Sequence, residues 1–185
     1  MNTYETMPED LPRPIDDGAC DHLIGMKLPD IDLIATDGSV VNLSKQKRKA
    51  VIYCYPMTGK PGVPLPEGWD EIPGARGCTP QSCSFRDHYS ELSALGADVF
   101  GLSAQGTEYQ REMVERLHLP FLVLSDENFK FCEAMRLPTF EVSGMRLLKR
   151  VTLIAKDNVV MNVHYPIFPS DSDAAWVVDQ LSNQL

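Results

Sequence analysis

The sequence predicts an α/β fold with a mixed central sheet and helices on both faces. Short apolar runs rich in β-forming residues alternate with segments whose apolar residues recur every three to four positions, the spacing of a helix. That alternation indicates a mainly parallel sheet covered on both sides. The last two runs, within residues 150–165, are separated by the tight-turn pair Asp157-Asn158, which adds an antiparallel edge.

The first strands come from the runs near the N-terminus. Residues 30–43 (DIDLIATDGSVVNL) predict two short strands joined by an Asp-Gly turn. Residues 50–56 (AVIYCYP) are continuously apolar, which suits a strand buried on both faces. Residues 57–77 contain four prolines and five glycines. We therefore expect an irregular surface loop there, with Leu65 and Trp69 folded back onto the body.

Helical spacing and further strand-like runs predict the remaining elements. A capping box of Thr107 with Gln110 opens one helix, and the closing helix is expected to bury Trp176, Val177 and Leu181. In chain order, these predicted elements are a helix from Thr79 to Gly96, a strand over 97–104, a helix over 107–119, a strand over 121–126, a short helix over 127–136, two strands over 150–165 and a closing helix over 172–184.

This order of elements is compatible with a thioredoxin-like sandwich, although periodicity alone does not separate that fold from other α/β folds. Residues 1–22 are acidic and rich in proline, and we predict that they form a loose N-terminal arm. Residues 23–185 are then expected to form one domain, because a chain of this length can bury a single core.

The composition excludes several classes of function. The net charge of −9 argues against nucleic acid and against an anionic membrane surface as partners. No apolar run approaches the roughly 20 residues that cross a membrane. The first residues lack the basic and apolar segments of a signal peptide, so a cytoplasmic location is expected. The sequence has no phosphate-binding loop and no metal-ligand spacing, so neither a cofactor nor a metal is expected.

The segment GARGCTPQSCSFRD (74–87) places Cys78 and Cys83 five residues apart, where the chain enters a predicted helix. Thr79 can cap that helix, and Pro80 is favoured in its first turn. A thiol at this position faces unpaired N–H groups and the positive end of the helix dipole. Both favour the thiolate, which is the nucleophilic form. Cys78 is therefore a candidate nucleophile.

The spacing of Cys78 and Cys83 leaves several interpretations open. In an intact helix their Cα atoms lie about 8–9 Å apart, whereas a disulfide needs them within about 7 Å. A bridge would therefore require the first turns to unwind. Both cysteines could instead be small core residues. A metal site is a weaker interpretation because no second ligand pair follows, and no two cysteines have the spacing of a thioredoxin-type exchanger.

The segment GCTPQSCSFRD resembles the active site of atypical two-cysteine peroxiredoxins of the bacterioferritin-comigratory (PrxQ) type. The similarity continues through LPDIDLIATDGSVVNLS, VIYCYP, DVFGLS, LPFLVLSDENFKFCEAM and LKRVTLIAKDN, across most of residues 25–184. It implies that Cys78 is the peroxidatic cysteine, oxidised to a sulfenic acid, and that Cys83 resolves it as a disulfide. Arg150 matches the arginine that steadies the thiolate and polarises the peroxide. Gln81 matches a helper that braces this arginine.

The sequence departs from this family just before Cys78. The family pattern has a proline seven residues and a threonine or serine three residues before the cysteine, but this chain has Glu71 and Ala75 there. Pro56 and Thr58 occur earlier, directly after a strand, which indicates an insertion between them and the cysteine. Our hypothesis is that Thr58 folds back to supply the hydroxyl and that Pro56 shields the thiolate.

The resemblance implies a thiol peroxidase that reduces hydrogen peroxide or organic hydroperoxides. A thioredoxin- or glutaredoxin-like reductant would recycle the oxidised enzyme. The protein itself is expected to be a monomer or a homodimer. The alternative is a redoxin-fold sensor that is oxidised at Cys78 without sustained turnover. Cys54 and Cys132 are expected in the core, and Cys20 is either a free thiol or an occasional bridge partner. The four histidines are expected at the surface or as caps.

Overall fold

The computed structural model of the chain describes residues 7–183. Within them the chain forms nine strands and five α-helices. The strands are β1 (Asp32–Ala35), β2 (Val40–Asn42), β3 (Lys49–Cys54), β4 (Ala97–Ser103), β5 (Leu122–Ser125), β6 (Thr139–Val142), β7 (Met145–Leu148), β8 (Val151–Lys156) and β9 (Val159–His164). The helices are α1 (Cys78–Asp87), α2 (Tyr89–Ala94), α3 (Thr107–Leu117), α4 (Lys130–Met135) and α5 (Asp173–Ser182).

Seven strands form one sheet in the spatial order β2-β1-β5-β4-β3-β8-β9. The central strands β3, β4 and β5 are parallel, whereas β1–β2, β1–β5, β3–β8 and β8–β9 pair antiparallel. The predicted mixed sheet is confirmed, but the expectation that it is mainly parallel is wrong. The runs of apolar residues locate the strands. They do not show that β1 pairs antiparallel with β5, or that β8 pairs antiparallel with β3.

The sheet separates two apolar cores because successive residues of a strand point to opposite faces. Ala50, Ile52 and Cys54 of β3 belong to the first core, together with residues of α4. Val51 and Tyr53 belong to the second core, which packs against α1, α2, α3 and α5. Helices therefore cover both faces, as predicted.

The predicted helix from Thr79 to Gly96 is divided in two. Helix α1 ends at Asp87 and α2 begins at Tyr89. His88 lies between them, and its ring nitrogen Nδ1 donates to the Ser84 carbonyl at 2.9 Å. In the closing helix, Val177 and Leu181 are fully buried as predicted, whereas Trp176 is half-buried.

The predicted capping box of Thr107 with Gln110 is wrong. Helix α3 has Gly106 as its N-cap, and the cap makes no side-chain hydrogen bond. Gln110 is instead fully buried, and its amide donates to Ser103 Oγ at 2.9 Å and to the Leu124 carbonyl at 2.8 Å. This side chain joins the helix to the sheet and does not close the helix end.

The hairpin of β6 and β7 is an element that the sequence did not predict. Its turn contains Ser143 and Gly144, both with positive φ. The hairpin covers the 57–77 loop, since Val142 and Leu147 share a small core with the buried Trp69. Leu65 also packs against this core, so the expected return of the loop onto the body is confirmed.

The described part of the N-terminal arm lies against the domain. Asp17 accepts hydrogen bonds from Lys149 Nζ and from the Tyr165 hydroxyl, each at 2.8 Å. The Arg13 guanidinium lies 5.4 Å from the centre of the Phe168 ring. The division between arm and domain at residue 22 stays a prediction. Among the described residues, no helix is long and apolar enough to cross a membrane.

We expect Asp17 to hold the arm in a pH-dependent way. The hydrogen bond from Lys149, followed by that from Tyr165, lowers the pKa of Asp17 from 3.8 to about 2. The stabilisation is therefore complete above pH 4 and lost as the pH falls through 2. Because the Asp17 side chain is 45% exposed, solvent screens the pair and the effect is small.

Urea unfolding followed between pH 6 and pH 2 tests this expectation. Asp17→Asn should lower the midpoint at pH 6 and lose its difference from wild type near pH 2. The control is Asp10→Asn, an exposed carboxylate earlier in the same arm. An Asp17 effect of the same size at both ends of the pH range would contradict the assignment.

Candidate active site

Cys78 is the first residue of α1, and its side chain is almost fully buried, with 3% exposed. The residue before it, Gly77, is the N-cap in a left-handed conformation with φ 109°. The sequence predicted Thr79 as the cap, but that prediction is wrong by two positions, and the Gly77 cap has no side-chain hydrogen bond. The Ser170 hydroxyl donates to the Gly77 carbonyl at 2.8 Å, which holds this turn from the other side.

Arg150 brings a positive charge to the sulfur of Cys78. Its Nη2 lies 3.3 Å from Cys78 Sγ, and the arginine is itself 4% exposed. The same nitrogen donates to three consecutive carbonyls, those of Gly74, Ala75 and Arg76, at 3.1–3.2 Å. A buried guanidinium at this distance stabilises negative charge on sulfur more strongly than a solvated one would.

Gln81 braces the other arm of this guanidinium, because Arg150 Nη1 donates to Gln81 Oε1. The amide nitrogen of Gln81 in turn donates to Asp173 Oδ2 at 2.7 Å. Asp173 is fully buried and also accepts from the Thr152 hydroxyl at 2.7 Å and from His164 Nδ1 at 2.8 Å. The site is thus a continuous set of hydrogen bonds from the thiol to the partly exposed His164.

Cys83 lies in the same helix as Cys78 and is half-buried, and both cysteines are reduced. With α1 intact over these residues, five helical steps put their Cα atoms about 8 Å apart, too far for a disulfide. The structure therefore corresponds to the state in which Cys78 meets Arg150. Bridging to Cys83 requires the start of α1 to unwind.

The structure brings Pro56 and Thr58 near the site without joining them to the sulfur. Thr58 is fully buried, and its hydroxyl donates to Gln105 Oε1 at 3.3 Å. Its neighbours Met57 and Gly59 line the narrow cleft that contains Cys78. Pro56 lies on the wall of a separate cavity of about 360 Å³ that reaches Arg150. The roles proposed for both residues stay hypotheses.

The cavity beside Arg150 is formed largely by segments outside the sheet. Pro14 and Ile15 of the arm, Ile72 of the 57–77 loop and Phe140 of the hairpin contribute apolar surface. Gly74 and Arg150 line this cavity but Cys78 does not, whereas Arg76 and Cys78 line the narrow cleft.

The other three cysteines are buried. Cys54 and Cys132 occupy the core positions expected for them, whereas Cys20, expected in the arm as a free thiol or a bridge partner, also packs into the core. Burial raises the pKa of Cys132 to about 11 and that of Cys20 to about 12. Burial also raises the pKa of Cys54 well above its usual range. All three therefore stay protonated and weakly nucleophilic near neutral pH.

Asp173, Thr152 and His164 are site residues that the sequence did not indicate. His164 was expected at the surface or as a cap, but its ring pairs with Asp173 and stacks on Trp176 at 4.3 Å. Asp173 is the first residue of α5, where an acidic residue is ordinarily explained by the helix dipole. No local spacing could have linked these residues to Cys78.

The fold and the arginine-bound thiol place the protein among the thioredoxin-fold thiol proteins. A profile of the Redoxin family matches residues 23–178. Two solved structures have similar folds, with 86% and 87% of this chain covered. They are peroxidoxin BcpB from Mycobacterium tuberculosis (22% identity, 96% of its chain, TM-score 0.71) and a PrxQ mutant from Xylella fastidiosa (16% identity, 96% of its chain, TM-score 0.71). These likenesses confirm the predicted thioredoxin-like fold.

Proteins of similar sequence indicate which branch of the redoxin family this chain is in. Peroxiredoxin Q of Sedum lineare, a chloroplastic protein by name, is 33% identical over 141 residues, covering 76% of this chain and 67% of the relative. Peroxiredoxin Bcp of Bacillus subtilis is 35% identical over 112 residues, with 60% and 62% covered. The chain therefore belongs to the redoxin family, among peroxiredoxins of the Q/Bcp type. It spans 58% of the length of the chloroplastic peroxiredoxin Q of Oryza sativa subsp. japonica, which is 33% identical.

We expect Gly77→Ala to destabilise the start of α1 strongly. A Cβ at this position would contact Ser170 Oγ and lie 2.7 Å from Met7 Sδ, and φ 109° is strained for alanine. The combined cost should be roughly 2–4 kcal/mol in the free energy of unfolding. Gly144→Ala is the matched control, since its φ is 76° and the space around it is open, so it should cost about 1 kcal/mol. Equal losses in urea unfolding would contradict the close approach at Gly77.

Proposed function

We propose that this chain is a thiol peroxidase that reduces hydrogen peroxide and organic hydroperoxides through Cys78. The observation that carries the proposal is the 3.3 Å contact between Arg150 Nη2 and Cys78 Sγ, both buried at the start of α1. A thiolate nucleophile with a fixed cation beside it can both attack a peroxide and stabilise the charge that develops on the oxygens.

In the first step, the Cys78 thiolate attacks the terminal oxygen of the hydroperoxide. A sulfur–oxygen bond forms while the oxygen–oxygen bond breaks, and the leaving oxygen takes a proton and departs as water or an alcohol. Cys78 is oxidised to a sulfenic acid, and the peroxide is reduced by two electrons. Arg150 is held on the 74–76 carbonyls, so its positive charge faces the reacting oxygens in this step without reorganising.

In the second step, the start of α1 unwinds and the Cys83 sulfur attacks the sulfur of Cys78. A disulfide forms, and the sulfenic hydroxyl leaves as water with the thiol proton. A thioredoxin- or glutaredoxin-like dithiol then reduces the bridge by exchange, and α1 re-forms. Because both cysteines lie in one helix, the cycle needs no second copy of the chain, and a monomer suffices.

We also propose a cytoplasmic or similarly reducing location, because the Cys78–Cys83 bridge must be reduced in every cycle. The net charge of −9 does not favour nucleic acid as a partner.

A coupled assay with thioredoxin, its reductase and NADPH tests the proposed cycle. Cys78→Ser should abolish peroxide consumption because an alcohol replaces the nucleophile. Cys83→Ser should consume about one equivalent and then stop, because no disulfide is offered to thioredoxin. Cys132→Ser is the control, since this buried sulfur faces the Leu137 carbonyl and lies outside the cycle. Wild-type consumption that stops after one equivalent would favour the oxidation sensor.

A separate measurement tests the hypothesis for Thr58. If its hydroxyl turns from Gln105 towards the bound peroxide, Thr58→Val should lower the rate of Cys78 oxidation about tenfold or more. Thr36→Val is a matched loss of a buried hydroxyl, since Thr36 Oγ1 accepts at 3.3 Å from the Val123 N–H of β5, which β4 separates from β3. An unchanged rate for Thr58→Val would remove this residue from the mechanism.

A further inference from the structure

We propose that Asp173 is a positioning residue of the Cys78 site, acting through Gln81 on Arg150. This inference rests on the proposed peroxidase function and names a residue of the same site, 95 positions along the chain from the nucleophile. It follows from the donors and acceptors of three buried side chains and from the charge that each carries.

The amide of Gln81 can be placed in this site in one orientation only. Its nitrogen faces Asp173 Oδ2 at 2.7 Å, and its oxygen accepts from Arg150 Nη1. A guanidinium only donates, and a carboxylate only accepts. A flipped amide would set two donors against each other at Arg150 and two acceptors against each other at Asp173. The carboxylate therefore fixes the amide, and the amide fixes the guanidinium that lies on Cys78.

Asp173 is itself held without freedom to turn. It is fully buried, so its charge would be costly without partners, and hydrogen bonds from Thr152 and His164 accompany that from Gln81. The same end of α5 is joined to α1 by two further bonds, from Ser170 Oγ to the Gly77 carbonyl and from Ser84 Oγ to the Asp171 carbonyl. A side chain with this support can transmit its position to Arg150.

The charges support the same assignment. Gln81 is neutral. The first negative group that the hydrogen bonds reach from Arg150 is therefore the Asp173 carboxylate, which lies beyond Gln81. Gln81 separates the two charges and still orients both. The negative charge and the amide could therefore exchange places, because a carboxylate at 81 would accept from Arg150 and an amide at 173 would donate to it.

The exchange is the test. Asp173→Asn should slow the oxidation of Cys78 by hydrogen peroxide about fivefold or more, because the amide of Gln81 is no longer held in one orientation. Gln81→Glu alone should also be slow and less stable, because it sets two buried carboxylates at hydrogen-bond distance. The double variant Asp173→Asn/Gln81→Glu should recover to within about threefold of wild type. Thr36→Val is the control, since it removes a buried hydroxyl that bonds only the Val123 N–H among the contacts described, and it should react nearly normally.

Two readouts separate this inference from the peroxidase proposal. The pH profile of Cys78 alkylation by iodoacetamide should differ from wild type in Asp173→Asn and return in the double variant, whether or not the chain turns over peroxide. If wild type fails to consume peroxide, the proposed function is wrong, and the alkylation profiles alone decide the positioning role. Wild-type rates and profiles in Asp173→Asn, or a double variant no better than the single ones, would overturn the inference.

A variant that does not fold still leaves a measurement on the wild-type chain. The side-chain amide protons of Gln81 should exchange slowly with solvent and show one strongly downfield NMR resonance, from the proton that faces Asp173. Fast exchange with no such resonance would overturn the assignment.

Discussion

The contact between Arg150 and Cys78 is the constraint on which the rest of the site depends. A guanidinium that is 4% exposed costs free energy unless its donors are matched. Three carbonyls from residues 74–76 and the oxygen of Gln81 supply acceptors for the two terminal nitrogens, whereas the buried Nε makes no hydrogen bond within the described residues. The end of the 57–77 loop and the first turn of α1 are therefore placed by the hydrogen-bonding requirements of one buried charge.

The 57–77 loop can meet this requirement because it has a small core of its own. Trp69 and Ala75 are buried against Val142 and Leu147 of the hairpin. A loop rich in proline and glycine would otherwise move, and its carbonyls would not hold a guanidinium in one place. The hairpin thus has a role in the site although none of its residues contacts the sulfur.

The site combines a fixed cation with a helix that begins without a side-chain cap. Gly77 caps α1 without a side-chain hydrogen bond, and it keeps a left-handed conformation that suits glycine. In the proposed cycle, peroxide attack needs this turn folded so that Cys78 meets Arg150, and bridging to Cys83 needs it unwound. Arg150 directly precedes β8, a strand that pairs with β3 on one edge and with β9 on the other. In this cycle the first turn of α1 would therefore move, while Arg150 stays fixed on the sheet.

The spacing of residues along the chain predicts the α/β class, most element positions and the candidate nucleophile, because spacing records how each residue meets its own neighbours. Cys78 at a helix start and its separation from Cys83 are properties of one segment, and family resemblance added Arg150. Only the folded chain fixes the strand directions, the β6–β7 hairpin and the contacts of Asp173 and His164. The half-exposed hairpin has no clear alternation of apolar residues. Partners such as Gln81 and Asp173 lie 92 positions apart, so they meet only when the sheet and its covering helices close.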